Sequence, residues 1–127
     1  MDAIKTIKIA AVLGALSVLI GAFSAHGLED LLTRNGRLET FEIAVRYQFY
    51  HTIALLMVGL LMKFYENKYL IRSAKMFLLG ILVFSGSLYV LSITNYTILG
   101  AITPIGGLFF LLGWLALYQS MQKSTAH

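Results

Sequence analysis

Four long apolar runs, separated by short polar connections, dominate this sequence and leave it few ways to fold. The first extends from Ile7 to about Ala25 and is broken only by Lys8 and Ser17. A helix needs roughly 20 apolar residues to cross the hydrocarbon of a bilayer, so this run is long enough alone. The second is densest from Thr52 to Met62 and too short by itself. Its helix has to reach back through the amphipathic stretch from Phe41 to His51 to gain membrane length. The third covers about 75–92, and Thr94-Asn95-Tyr96 makes a polar turn into the fourth, about 98–118. The pattern predicts an all-α chain, an integral membrane four-helix bundle forming one domain over 1–127. Its spans fall at about 7–25, 41–63, 75–92 and 98–118, with one substantial polar loop, 26–40, on the outer side. Pro104 falls about two turns into the last span, where its missing N–H predicts a kink.

Composition removes the alternatives. Hydrophobic residues make up 58% of the chain and charged residues 13%, which points to lipid as the solvent. The net charge is +4, but the basic residues are spread over the connections and do not cluster with aromatics, so a nucleic-acid surface is excluded. The absence of cysteine excludes a disulfide framework, a cysteine-ligated iron–sulfur cluster and a thiol nucleophile. Lys5 and Lys8 ahead of an apolar run ending near Ala22-Phe23-Ser24 also fit a secretory leader, yet the remainder would still hold three spans. With the N-terminus inside, Lys5, Lys8, Lys63, Lys68, Arg72, Lys75 and Lys123 fall on the inner side, against Arg34, Arg37 and Arg46 outside. Positive residues in short connections stay cytoplasmic, which predicts both termini in the cytoplasm. Tyr96, Trp114 and Tyr118 are expected near the membrane interfaces.

Between helices in lipid, small residues take over the packing that hydrophobicity provides in water. Gly14, Ser17 and Gly21 form such a face on the first helix, Gly86 on the third, and Gly106, Gly107 and Gly113 on the fourth. The second helix shows none. Ser24, Ser85 and Ser87 lack a nucleophile elbow or a neighbouring base, and read as helix hydrogen-bonders.

Ionisable groups at membrane depth are costly and mark candidate sites. His26, Glu42, Arg46, Tyr47 and His51 gather at the outer side, with Glu42 and Arg46, and Tyr47 and His51, each four apart on one helix face. His51 is the deepest, about a turn or two below the interface. The cluster suits a lipid head group, a quinone, a small solute or a proton relay; capping and interhelical bonding are its plainer uses. Two histidines with no carboxylate set to complete a shell predict neither a bound metal nor a haem, and no other cofactor is called for.

Four segments carry a resemblance: Gly21-Ala22-Phe23-Ser24-Ala25-His26-Gly27-Leu28, Tyr47-Gln48-Phe49-Tyr50-His51, Phe84-Ser85-Gly86-Ser87-Leu88-Tyr89, and Leu99 through Gly107 ending in Gly113-Trp114. With one motif per helix in order, the chain resembles the small bacterial membrane family of domain of unknown function 423. Its two histidines match His26 and His51, and Ser24 stands where the family pattern has glycine. The resemblance implies a four-helix inner-membrane protein and brings no assigned activity. The expected function is a non-enzymatic membrane module that binds a second copy or another membrane protein. The alternative is a carrier or channel for a small solute, lipid or quinone, using the outer cluster. A polar passage at mid-membrane would mark the carrier, and a dry centre the module.

Overall fold

The computed structural model describes residues 1–124, and all regular structure among them is helical. The helices are α1 (Ala3–Ala25), α2 (Glu29–Arg34), α3 (Leu38–Leu61), α4 (Lys68–Gly80), α5 (Gly86–Thr94) and α6 (Thr103–Ser124). A π-helical turn, Ile81–Ser85, fuses α4 and α5 into one span, and a 3-10 turn, Thr97–Ala101, leads into α6. Four units are long and apolar enough to cross a membrane: Ala3–Ala25, Leu38–Leu61, Lys68–Thr94 and Thr97–Ser124. This is the all-α, four-span architecture the apolar runs predict.

The helices outreach those runs, because apolar residues mark the length in lipid whereas polar caps mark where a helix begins. The first helix starts at Ala3 and not near residue 7, because Asp2 accepts the Lys5 amide at 2.8 Å as an N-cap. The third span starts at Lys68 and not at 75, because Asn67 accepts the Tyr69 amide at 2.8 Å. Asn67 also donates through Nδ2 to the Ser120 carbonyl, 2.9 Å away, tying the start of α4 to the end of α6.

The stretch 26–40 is more structured than a polar loop. It contains α2, and α3 already begins at Leu38, ahead of the expected residue 41. Asn35 donates through Nδ2 to the carbonyls of Ser92 and Ile93, at 3.0 and 3.1 Å, near the end of α5. Arg37 Nε donates to Asn95 Oδ1 at 2.9 Å, and Asn95 ends α5 in the left-handed region, φ 59°. The 26–40 segment thus supplies donors to carbonyls that a helix end leaves without partners.

Pro104 does not kink a helix interior. It is the second residue of α6, in the first turn, where no intrahelical partner awaits an N–H. The chain before it runs through the 3-10 turn instead of a regular α-helix.

Two antiparallel pairs build the bundle: α1 on α3, and α4 with its π-turn on α6. In the first pair, facing residue numbers add to about 66, with Gly14 against Thr52, Gly21 against Val45 and Gly59 against Ile7. In the second they add to 190, with Gly113 against Phe77, Gly80 against Phe110 and Gly106 against Phe84. The pairs join where α3 meets α4 and α5: Ser85 donates to the Ala44 carbonyl at 2.7 Å, and the Phe41 and Tyr89 rings lie 5.1 Å apart. Facing numbers there add to about 129. The helices therefore run in the order α1, α3, α4–α5, α6, with the outer two more exposed than the inner two.

The small residues are not equivalent. A side chain on Gly106 would collide with the Phe84 backbone, and one on Gly113 would lie 2.6 Å from the Phe77 ring. Gly14, Gly21 and Gly107 make ordinary contacts of 3.7, 3.5 and 3.9 Å, and Ser17 is buried and donates to the Leu13 carbonyl at 2.9 Å. Gly86, expected at a packing face, has nothing within 4 Å of where its side chain would be. Gly59 corrects the expectation for the second helix, since a Cβ there would stand 2.9 Å from Ile7.

Candidate functional site

At the centre of the bundle the polar side chains bond to one another. Gln48, 3% exposed, donates through Nε2 to the Leu13 carbonyl of α1 at 3.1 Å and accepts the Tyr89 hydroxyl of α5 through Oε1 at 2.5 Å. One amide thus links three helices. His51 lies within two residues of the midpoint of α3 and receives a hydrogen bond at Nε2 from Trp114 Nε1, 3.1 Å away. An indole N–H only donates, so Nε2 is the unprotonated nitrogen, and Nδ1 carries the proton that it donates to the Tyr47 carbonyl at 2.8 Å. The ring is neutral in this arrangement, with both nitrogens used. It stacks on Phe110 with centroids 3.6 Å apart, and Phe77 and Tyr47 close around it at 5.7 and 6.1 Å.

Trp114 therefore is not an interface anchor. It sits at the middle of α6, half-exposed to the lipid side, with its polar atom turned inward to His51. Gln48 and Tyr89, both within the motifs quoted above, did not stand out as site residues. Their partners are distant in sequence, and no local spacing points to them.

The two histidines do not form one site. Ala15 is the α1 residue level with His51, so His26 lies eleven residues, or roughly 16 Å, farther towards the α2 end of the bundle. His26 caps α1, is exposed, and lines a shallow groove with Leu19, Ala22 and Phe23. Among the described residues, no three His, Asp or Glu side chains converge to hold a metal ion.

Glu42 and Arg46 pair at 3.6 Å with both side chains about half exposed. Tyr47 stacks on Phe84 at 4.9 Å and lies 6.0 Å from the exposed Tyr50. Arg46 is the deeper of the two. The charge-free stretch 9–25 of α1 is centred on Ser17, which is level with Phe49, and the charge-free stretch 76–94 is centred on Ser85, which bonds to Ala44. Arg46 lies between those two levels, and Glu42, one turn nearer α2, is level with Ser24 in the last turn of α1. Arg46 points away from the bundle with Ile53, Met57 and Leu60, all exposed. An arginine at the centre of a membrane helix costs about 2.5–3.5 kcal/mol on insertion scales, which makes this face the most expensive part of the surface to leave against lipid.

Five cavities and grooves lie away from these groups. Ones of 540 and 420 Å³ flank the α3–α4 connection, lined in common by Tyr65, Glu66, Asn67 and Lys68. Grooves of 250, 220 and 200 Å³ run over apolar surface, and none of these five is lined by Gln48 or His51.

A family model described as a protein of unknown function (DUF423) matches residues 20–107. The chain is 45% identical over 120 residues to a UPF0382 membrane protein of Staphylococcus haemolyticus, covering 91% of this chain and 97% of that one. It is 41% identical over 122 residues to a UPF0382 membrane protein of Haemophilus influenzae, covering 96% and 97%. The UPF0382 membrane protein YwdK of Bacillus subtilis is 38% identical over 121 residues, covering 91% and 98%. No solved structure matches the chain. With a family model over more than half its length and bacterial membrane proteins matching nearly end to end, this chain belongs to the DUF423 family of multi-pass membrane proteins.

Proposed function

We propose that this protein is a non-enzymatic bacterial inner-membrane module, with both termini cytoplasmic, that works by binding a membrane partner side-on. The observation that carries this reading is the bonded centre: Gln48, His51, Tyr89 and Trp114 bond to one another or to backbone. A conduit needs polar groups turned to a passage at mid-membrane, whereas here they turn to each other. The chemistry that faces outward is lateral, in Glu42, Arg46, Tyr47 and Tyr50. Charge supports the orientation: one end carries seven Lys and Arg against Asp2 and Glu66, and the other Arg34 and Arg37 against Glu29, Asp30 and Glu39.

Because the sequence has no cysteine, a single introduced thiol reports its own surroundings. In sealed vesicles, an impermeant thiol reagent should label Arg34→Cys and leave Thr52→Cys and Leu55→Cys untouched. Labelling at the two central positions would establish a water-filled path and favour the carrier or channel.

A further inference from the structure

We infer that the 540 Å³ cavity between the α3–α4 connection and the end of α6 holds the phosphate of an anionic phospholipid. It lies towards the opposite end of the bundle from Glu42 and Arg46 and does not depend on lateral binding there. A fixed joint builds it. Asn67 accepts the Tyr69 amide and donates to the Ser120 carbonyl at 2.9 Å, which holds the connection against α6. Two lysines from different helices, Lys68 and Lys123, line the cavity around that joint. Facing numbers of α4 and α6 add to 190, so Lys68 is level with residue 122 and within one residue of Lys123. Tyr69, also in the lining, gathers more positive charge: Lys68 Nζ and the Arg72 guanidinium each lie 5.4 Å from its ring centre. Glu66 lines the cavity too, but among the described residues no ion pair neutralises Lys68, Arg72 or Lys123. The smaller cavity beside it sets Asp2 and Glu66 against Lys68 and the Met1 amine, and so has no excess of either sign.

Depth and charge together select the occupant. The charge-free stretch 76–94 spans about 28 Å, close to the thickness of the hydrocarbon. Head groups add a layer of roughly 5–8 Å on each side. Arg72 stands four residues beyond the stretch, about 6 Å, and so falls in that layer. Lys68, about 12 Å beyond it, is at the rim, from which a long side chain reaches back. Lys68, Arg72, Lys75, Leu79 and Leu82 recur at alternating spacings of four and three along one exposed face, with cations at the head-group level and leucines below. This is the profile of a phospholipid, with a phosphate above and an acyl chain beneath, whereas a soluble phosphate would use the upper part alone. A zwitterionic head group brings its own cation towards three that have no carboxylate partner. An anionic one brings only the charge that the cavity lacks.

Lipid titration of the full-length protein tests this. The protein is delipidated in mild detergent and titrated with phosphatidylglycerol or phosphatidylcholine, and the lipid-bound species are counted by native mass spectrometry. The wild type should take up one phosphatidylglycerol per chain about tenfold or more tightly than phosphatidylcholine. Lys68→Gln combined with Lys123→Gln should lose most of that preference, and Lys68→Arg combined with Lys123→Arg should keep it. Lys5→Gln combined with Lys8→Gln removes the same charge from exposed positions of α1 at the same end, and should leave the preference unchanged. All four lysines are exposed, so each double variant should keep the thermal midpoint of the wild type. Millimolar inorganic phosphate should not displace the bound lipid. A wild type without the preference would overturn the inference. So would an equal loss in the Lys5 and Lys8 variant, which would mean attraction to the whole end of the bundle instead of to the cavity. Displacement by inorganic phosphate would make the ligand a soluble anion and overturn it as well.

Discussion

His51 shows how one side chain organises the middle of the bundle. Replacing it with alanine removes the acceptor of the Trp114 N–H and opens a hole against Phe110. That change should destabilise the protein by about 2–4 kcal/mol in denaturant titrations of the detergent-solubilised protein. His51→Phe keeps the stacked ring and gives up the hydrogen bond, and should cost only about 1 kcal/mol. Equal losses would mean that stacking contributes little. Thr52 is the opposite case: its buried hydroxyl has no partner, so Thr52→Val should be neutral or stabilising by the same measurement. His51, Tyr47, Glu42 and Arg46 were legible in the sequence as ionisable or aromatic groups one helical turn apart. The bond from Trp114 to His51 was not, because it spans 63 positions and residue spacing says nothing about which helices are neighbours.

At the scale of the helix, the glycines separate by what faces them. Gly106→Ala forces a methyl group into the Phe84 backbone, which cannot yield without separating α6 from the π-turn, and should cost roughly 3 kcal/mol or more. Gly86→Ala meets nothing within 4 Å in a helical position and should be neutral or stabilising by up to about 1 kcal/mol. Thermal unfolding of the two variants side by side decides the matter, and similar midpoints would contradict this packing. Their sequence contexts, Ser-Gly-Ser and Ile-Gly-Gly, give no hint of the difference, because it depends on the facing helix. The apolar runs identified all four spans, and the helix ends escaped them because Asp2 and Asn67 set those ends by capping. The π-turn Ile81–Ser85 was equally hidden, since an apolar stretch reads the same in an α- or a π-helix. Asn35→Ala should raise amide exchange around α2 and the end of α5 by about tenfold, as the donors to Ser92 and Ile93 are lost. Unchanged exchange would mean that the 26–40 segment holds without them.

The whole molecule is a thin four-span bundle whose polar side chains bond to one another at its centre or are displayed sideways on α3. The chain's single tryptophan reports directly on that arrangement, because Trp114 sits in the middle of α6 with its ring half-exposed and its nitrogen turned to His51. In reconstituted bilayers, its fluorescence should be quenched strongly by lipids brominated deep in the acyl chain and hardly at all by acrylamide in the water. Efficient quenching by acrylamide, with little effect of the brominated lipids, would put water where the account puts lipid and a closed polar core, and would contradict it.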